Sequence, residues 1–550
     1  MSQSPADLVL TGGPVHTVDP VLGRATSVAV RGGRIAAVGH DEVRELIGPG
    51  TEVVDLAGKM LLPGFQDAHV HPLVAGIELG QCHLAEVHEA GEYLRLVRAY
   101  ADEHPGAEWI TGGGWSLDAF PGGTPTAALL DGVVPDRPVF LPNRDHHGAW
   151  VNSRALDLAG ITRDTPDPAD GRIERDADGN PTGMLQEGAL HLVGRLLPSV
   201  TAAERTAALL RAQRVLHSLG VTAWQDAIVG DYANMTDPVP AYHALVADGL
   251  LTARVVGALW WDRDRGAEQI PELVERRAAV SRGRFRATSV KIMQDGIAEN
   301  GTAALLGPYL TACGCASGNS GISFVDPVAL AGHVTALDAL GFQVHFHALG
   351  DRAVREALDA VAAARSANGF QDTRHHLAHL QVVHPDDVAR FRALGASATV
   401  QALWAAHEPQ MDELTLPFLG PERAAWQYPF GDLLRGGATL AAGSDWPVSS
   451  PDPLQALHVA VNRRTPDAPK GTPVFLPAQR VDLAAGIAAY TAGSAYVNHL
   501  DDTGTITPGK LADLVVLDRD PFAGPPEEIA AARVLQTFVG GERVHVAADA

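Results

Sequence analysis

The sequence predicts an α/β protein: a (β/α)₈ TIM-type barrel, a small β-sandwich formed by both termini, and a large insertion after the first barrel strand. Three observations predict it. Eight short apolar runs alternate with helical stretches through the middle of the chain, the rhythm of a (β/α)₈ barrel. Both ends of the chain read instead as short strands separated by glycine turns. More than a hundred residues separate the first apolar run from the second, where the other runs follow one another closely.

The terminal strands come first. "ADLVLTGG", "TSVAVRGGRIAAVG" and "TEVVDLAGKMLLPG" fill the opening sixty residues or so, and "GTITPGKLADLVVLD" and "VLQTFVGGERVHV" fill the last fifty or so. A sandwich of this kind has exposed edges, so the body between the termini must support it. The implied limits are 1–62 and 496–550 for the two parts of the sandwich and 63–495 for the barrel. The eight runs are "MLLPGFQDAH", "VTAWQDA", "ARVVGALWW", "ATSVKIMQDG", "FQVHFHALGD", "RHHLAHLQ", "SATVQALW" and "ATLAAGSDWP". Helical stretches such as "AAERTAALLRAQRVLHSLG" and "DPVALAGHVTALDALG" lie between them. The insertion, at about 73–199, is expected to fold over the barrel mouth as a lid and substrate wall.

Composition narrows the function classes. A hydrophobic content of 46% with 19% charged residues suits a globular chain with a large core. A formal charge of −23 argues against nucleic acid or an anionic membrane surface as partner. Three cysteines make no disulfide framework in 550 residues, and the Cys313–Gly–Cys315 pair has no second pair to complete a metal site. No window approaches the ~20 apolar residues of a membrane span, and "MSQSPADLVL" lacks the pattern of a secretory signal. The expectation is a cytoplasmic protein acting on a small molecule, without nucleic-acid or membrane partners.

Barrels of this class carry their chemistry where strands end and the following loops begin. At those ends stand His69 and His71 (run one), Lys291 (run four), His347 (run five), His379 (run six) and Asp445 (run eight). His69 and His71 share one face of their strand because side chains at i and i+2 point the same way. Imidazole nitrogens and carboxylate oxygens are donors for zinc or a similar divalent ion. Each residue alone has an ordinary explanation, a strand-end histidine, a snorkelling lysine or a turn-capping aspartate. Their coincidence at the matching ends of separately counted strands favours a metal site.

These segments resemble the amidohydrolase superfamily. "ADLVLTGG…TEVVDLAGKMLLPGFQDAHVHPL" is similar to its N-terminal signature. "PDRPVFLPNRDHHGAWVNSRAL", "PTGMLQEGA", "VKIMQDG", "TAALLGPY", "HALGDRAV", "HPDDVARFRALG" and "AAGSDWPV" resemble its YtcJ-like branch, which includes N-substituted formamide deformylases. The resemblance implies that His69, His71 and Asp445 hold one metal and that His347 and His379 hold a second. It also implies that Lys291, carboxylated by carbon dioxide, bridges them. His345 shares a face with His347, which is chosen because it matches "HAxGD" and lies nearer the strand end. The chain departs from the branch with Ala378 in "RHHLAH" and with "VQALW" at the end of run seven.

The reaction implied is hydrolysis of an amide-type carbon–nitrogen bond by metal-activated hydroxide, with one or two zinc or similar ions and with Asp445 as the acid–base group. His147 in the insertion is the candidate to polarise the carbonyl. Trp115, Glu187 and Asp295 are candidate substrate contacts, and Trp150 is a further candidate pocket wall. Lactone, ester or carbamate hydrolysis is the alternative on the same site. Deamination fits less well, because Gly350 stands where a His-x-x-Glu pattern after strand five requires glutamate. A scaffold that has lost its metals fits least. A homodimer is usual in the superfamily.

Overall fold

Eight parallel strands wind in sequence order around one axis in the computed structural model, which describes residues 4–232 and 235–548. They are β1 (Phe65–Val70), β2 (Val221–Val229), β3 (Arg254–Trp260), β4 (Phe285–Met293), β5 (Gln343–Ala348), β6 (His376–His379), β7 (Ser397–Val400) and β8 (Thr439–Ala442). These correspond to the eight apolar runs. Strands buried on both faces read as continuous apolar segments, which is why they stand out in the sequence. The ends of the sheet are joined just past β8, where Asp445 N–H donates to the His69 carbonyl (2.8 Å) and His71 N–H to the Trp446 carbonyl (2.9 Å). Gly443 permits that approach, since a Cβ there would lie 2.8 Å from the His69 backbone nitrogen.

Helices cover the outside. Ala202–Ser218 begins with a reciprocal cap between Thr201 and Glu204 and buries Leu209, Ala212 and Leu216. Pro327–Ala339 begins at Asp326, whose carboxylate accepts from Val328 and Ala329 N–H. Caps of this kind contribute about 1 kcal/mol each.

The barrel floor is polar and hydrogen-bonded. His376 Nε2 bonds Gln225 Oε1 (2.9 Å) and its Nδ1 bonds the Thr399 hydroxyl (2.8 Å). Gln225 in turn donates to Gln343 (3.1 Å), which donates to the Arg374 and Val497 carbonyls (both 2.7 Å). A connected network of this kind holds the floor side chains in place.

Both termini meet in one continuous eight-stranded sheet. Met60–Pro63 pairs with Leu514–Leu517, so N- and C-terminal strands are hydrogen-bonded directly. Arg254 of β3 clasps Asp513 through two bonds of 2.8 and 2.9 Å, tying this sheet to the barrel.

The segment between β1 and β2 folds into a layer of its own. It contains a six-stranded sheet in the order Gly171–Arg175, Pro181–Glu187, Gly148–Val151, Val139–Pro142, Ile110–Gly113, Cys82–His83. Its core includes Tyr93, Trp115, Phe120 and Trp150, and it packs on Ile297, Ala298 and Leu349 from loops at the barrel mouth. That contact seats the insertion over the strand ends. No helix among the described residues is long and apolar enough to cross a membrane.

Candidate metal centre

A cavity of about 610 Å³ lies between the insertion and the barrel mouth, lined among others by Arg144, His147, Glu299, Trp404 and Asp445. At its base is an inner pocket of about 60 Å³ whose walls include His69, His71, Lys291, His347, His379 and Asp445, with His147 above. All six strand-end residues singled out in the sequence are thus brought to one small space.

The strands deliver them by register. Lys291 stands opposite His345, and Met293 opposite His347, on adjacent strands. His379 ends β6 opposite Ala348. Simple alternation would turn His379 away from the face of His376. A left-handed backbone at His379 (φ 80) redirects it, so that its ring centre lies 4.5 Å from that of His347 and 4.7 Å from that of His69. Asp445 is also left-handed (φ 57). Such conformations in non-glycine residues store strain and cluster at functional sites.

Asp445 is the hub. Its Oδ1 lies 3.0 Å from His71 Nε2 and 3.1 Å from His69 Nε2. One nitrogen or oxygen donor atom from each of His69, His379 and Asp445 falls within 4.8 Å of the others. Two imidazoles and a carboxylate gathered this closely are the donor types that hold a divalent ion. A second observation agrees: both ring nitrogens of His379 are buried without a hydrogen-bond partner. Buried polar atoms are normally paired, and a divalent cation would satisfy an imidazole left open in this way.

The electrostatics favour ligation. Burial, reinforced by nearby Lys291, pushes His69 down to about 3 and His347 well below the usual imidazole range. Burial and the neighbouring His347 and His69 do the same to His379. All three are therefore neutral donors. Burial raises the carboxyl of Asp445, but the surrounding His69, His71 and His379 outweigh it and hold the group well below the ordinary carboxylate range. Burial brings Lys291 down to about 7 against the pull of Asp445.

His147 reaches the site from the insertion, with its ring centre 5.4 Å from that of His347. Its Nδ1 bonds both Glu187 oxygens at 3.0 Å. Glu187 also accepts from the Thr302 hydroxyl (2.6 Å) and Asn300 (3.1 Å). Burial alone would strip the His147 proton, yet the Glu187 carboxylate overcomes it and pushes the imidazole up to about 9. Burial likewise opposes charge on Glu187, and the His147 imidazolium with these hydrogen bonds brings it to about 2.

Four sequence expectations are corrected here. Trp115 does not wall the cavity: it is 0% exposed in the insertion core, where its indole N–H donates to the Leu141 carbonyl at 2.8 Å. Trp150 is equally buried, its indole N–H bonded to the Thr126 carbonyl. Asp295 lines neither the cavity nor the inner pocket but lies behind His347, its Oδ1 3.4 Å from His347 Nδ1. It accepts from the N–H groups of Ala304, Leu349 and Gly350 at 2.8–3.0 Å and ties the loops after β4 and β5 together. Glu187 lies behind His147 with its side chain 1% exposed, so it acts through that residue rather than at the cavity wall.

Other contacts were not singled out in the sequence. Trp404 lies over His379 with ring centres 5.4 Å apart and planes 16° from parallel. His146 Nε2 pairs with Glu78 Oε1 at 3.2 Å, and His146 also lines the inner pocket. The signal for Trp404 was its place just past β7; nothing local links Glu78 to His146. His345 lies below the pocket, its Nε2 2.8 Å from His69 Nδ1.

Comparison with known proteins settles the family. The model of the amidohydrolase family matches residues 52–545. The chain belongs to that family. It is 33% identical to "Protein LONG AFTER FAR-RED 3" of Arabidopsis thaliana, over 98% of this chain and 92% of the relative. It is 29% identical to YtcJ of Bacillus subtilis, over 97% and 98%. It is 28% identical to the N-substituted formamide deformylase of Arthrobacter pascens, over 97% of both chains. Among solved structures, an uncharacterized metal-dependent hydrolase from Pyrococcus furiosus superposes with a TM-score of 0.70 at 28% identity. That match covers 94% of this chain and 99% of the other.

Proposed function

We propose that this amidohydrolase cleaves an amide-type carbon–nitrogen bond, in an N-substituted formamide, an N-acyl amine or a cyclic amide, with one or two divalent ions, zinc in the first instance. The observation that carries the reading is the convergence of six ligand-type residues on one inner pocket of about 60 Å³ that His147 also lines. When bound, the ion supplies Lewis acidity toward the carbonyl oxygen and a hydroxide nucleophile at neutral pH. His69, His71 and Asp445 would hold one ion and His347 and His379 a second. With a group pushed down to about 7, Lys291 would offer a neutral amine to carbon dioxide, and a carbamate there would supply an anionic ligand.

The chain's own groups then divide the work. Asp445, ionised and facing the pocket, accepts a proton from the attacking water and returns it to the leaving nitrogen. His147 uses Nδ1 for Glu187 and keeps its Nε2–H for the carbonyl oxygen, where negative charge develops. Glu187 preserves that charge. The name of the Arthrobacter relative supports the formamide reading. The proposal extends, on the family resemblance, to a homodimeric cytoplasmic enzyme. It is tested by screening metal-loaded protein against N-formyl, N-acyl, cyclic amide, lactone and carbamate substrates. Turnover of the amides is expected; turnover confined to lactones, esters or carbamates would replace the reading.

A further inference from the structure

Cys313 and Cys315 stand side by side at the tip of the loop that follows β4. Both are exposed, and their sulfur atoms are 3.1 Å apart. A disulfide needs about 2 Å, so an approach of about 1 Å would close one. The loop is folded to keep them there. Leu310 pairs with Ala316 across the tip, and Thr311 N–H donates to the Cys315 carbonyl at 2.7 Å. Between the cysteines Gly314 adopts φ 76, a left-handed turn that glycine makes without strain and that folds Cys315 back beside Cys313.

The two sulfurs are chemically unequal. The Thr311 hydroxyl lies 3.1 Å from Cys313 Sγ. Hydrogen bonds from Thr311 and from Cys315 lower the Cys313 thiol to about 7, which makes thiolate abundant at neutral pH. Cys82 offers the contrast: burial pushes it up to about 12, and it is inert. The base of the loop has its own fastenings, Leu305 N–H to the Ser320 carbonyl (2.9 Å) and the Tyr309 hydroxyl to the Ala303 carbonyl (2.8 Å). Closure is therefore confined to the tip.

We propose that Cys313 and Cys315 are a redox-active dithiol that closes reversibly to an intraloop disulfide by exchange with a low-molecular-weight disulfide. Cys313 thiolate attacks one sulfur of that disulfide and releases the other as a thiolate. Cys315 then gives up its proton, attacks the Cys313 sulfur and releases the second thiolate. Two electrons pass from the protein to the small disulfide, which leaves as two thiols. Exposed disulfides of this kind are the readily reduced ones.

The test equilibrates the full-length protein in buffers of reduced and oxidised glutathione, quenches with acid, alkylates and measures intact mass. The expected result is a chain lighter by two hydrogens with both loop thiols protected, returning to the free dithiol in the reducing buffers. Cys313→Ser and Cys315→Ser, each at an exposed tip, should instead carry one glutathione. If the unsubstituted chain keeps two alkylatable loop thiols in the most oxidising buffer, or ends as a glutathione adduct or a cross-linked pair of chains, the proposal is overturned.

Discussion

His345 Nε2 lies 2.8 Å from His69 Nδ1, while the other nitrogen of His69 faces Asp445 Oδ1 at 3.1 Å. The pair fixes which nitrogen His69 presents to the pocket. Support continues downward, because the His345 ring lies 4.0 Å from that of His376, itself bonded to Thr399 and Gln225. Partners of this kind govern metal affinity about 10–100-fold. His345→Ala should therefore weaken metal binding by about that factor, and His345→Asn should recover part of it. Competition with a chromogenic chelator measures the effect; unchanged affinity in His345→Ala would remove His345 from this role.

Glu187→Gln tests the charge on His147. With Glu187 in place the imidazole keeps its proton up to about pH 9. Without it, burial prevails and the proton is lost at lower pH, so the alkaline limb of kcat/KM should move to lower pH. A loss of about 10²–10³ in rate at pH 8 is expected for a missing transition-state donor. An unmoved limb contradicts the pairing.

The same pair fixes a sign for stability. His147 is raised in the folded protein, so its contribution is present below the ordinary imidazole range and disappears as pH rises through about 9. Glu187 is depressed, so its contribution is present above the ordinary carboxylate range and disappears as pH falls through about 2. Unfolding curves of the unsubstituted chain and Glu187→Gln should differ most between those limits and converge above pH 9.

Lys291→Ala should lose metal and activity together, with partial rescue by a small carboxylic acid. Lys291→Arg should not replace it, since guanidinium stays charged and forms no carbamate in this way. Metal analysis of the Arg variant decides: full metal content and rate would make the site mononuclear.

Trp115→Ala should behave as a core truncation, lowering stability by about 3–5 kcal/mol, with little change in KM for the protein that remains folded. A large KM change at unaltered melting temperature would restore Trp115 to the cavity wall.

The barrel was legible because its strands are buried on both faces, and the ligand set because strand ends in this fold share one rim. What the sequence concealed depends on orientation or distant pairing. His379 faces the pocket only through φ 80 at that residue. Asp295 looks like a turn residue in "QDG" and proves to hold three N–H groups from two loops. Short strands such as Ile110–Gly113 and Gly148–Val151 carry too little alternation to announce the insertion's sheet. The strand-and-glycine pattern of both termini announced that they meet, but not that Met60–Pro63 pairs directly with Leu514–Leu517.

Asp445→Asn keeps the shape of the hub and removes its basicity. It should leave the fold largely intact and reduce turnover by about 10²–10⁴; near-normal turnover would take Asp445 out of proton transfer.

The most direct measurement joins metal content to hydrolysis in the unsubstituted protein. Elemental analysis should find one or two equivalents of zinc or a similar divalent ion per chain. Removal by a chelator should abolish cleavage of an N-formyl amine, and replacement of the ion should restore it. Undiminished cleavage by a rigorously metal-free sample would contradict the metal centre on which the proposed function stands.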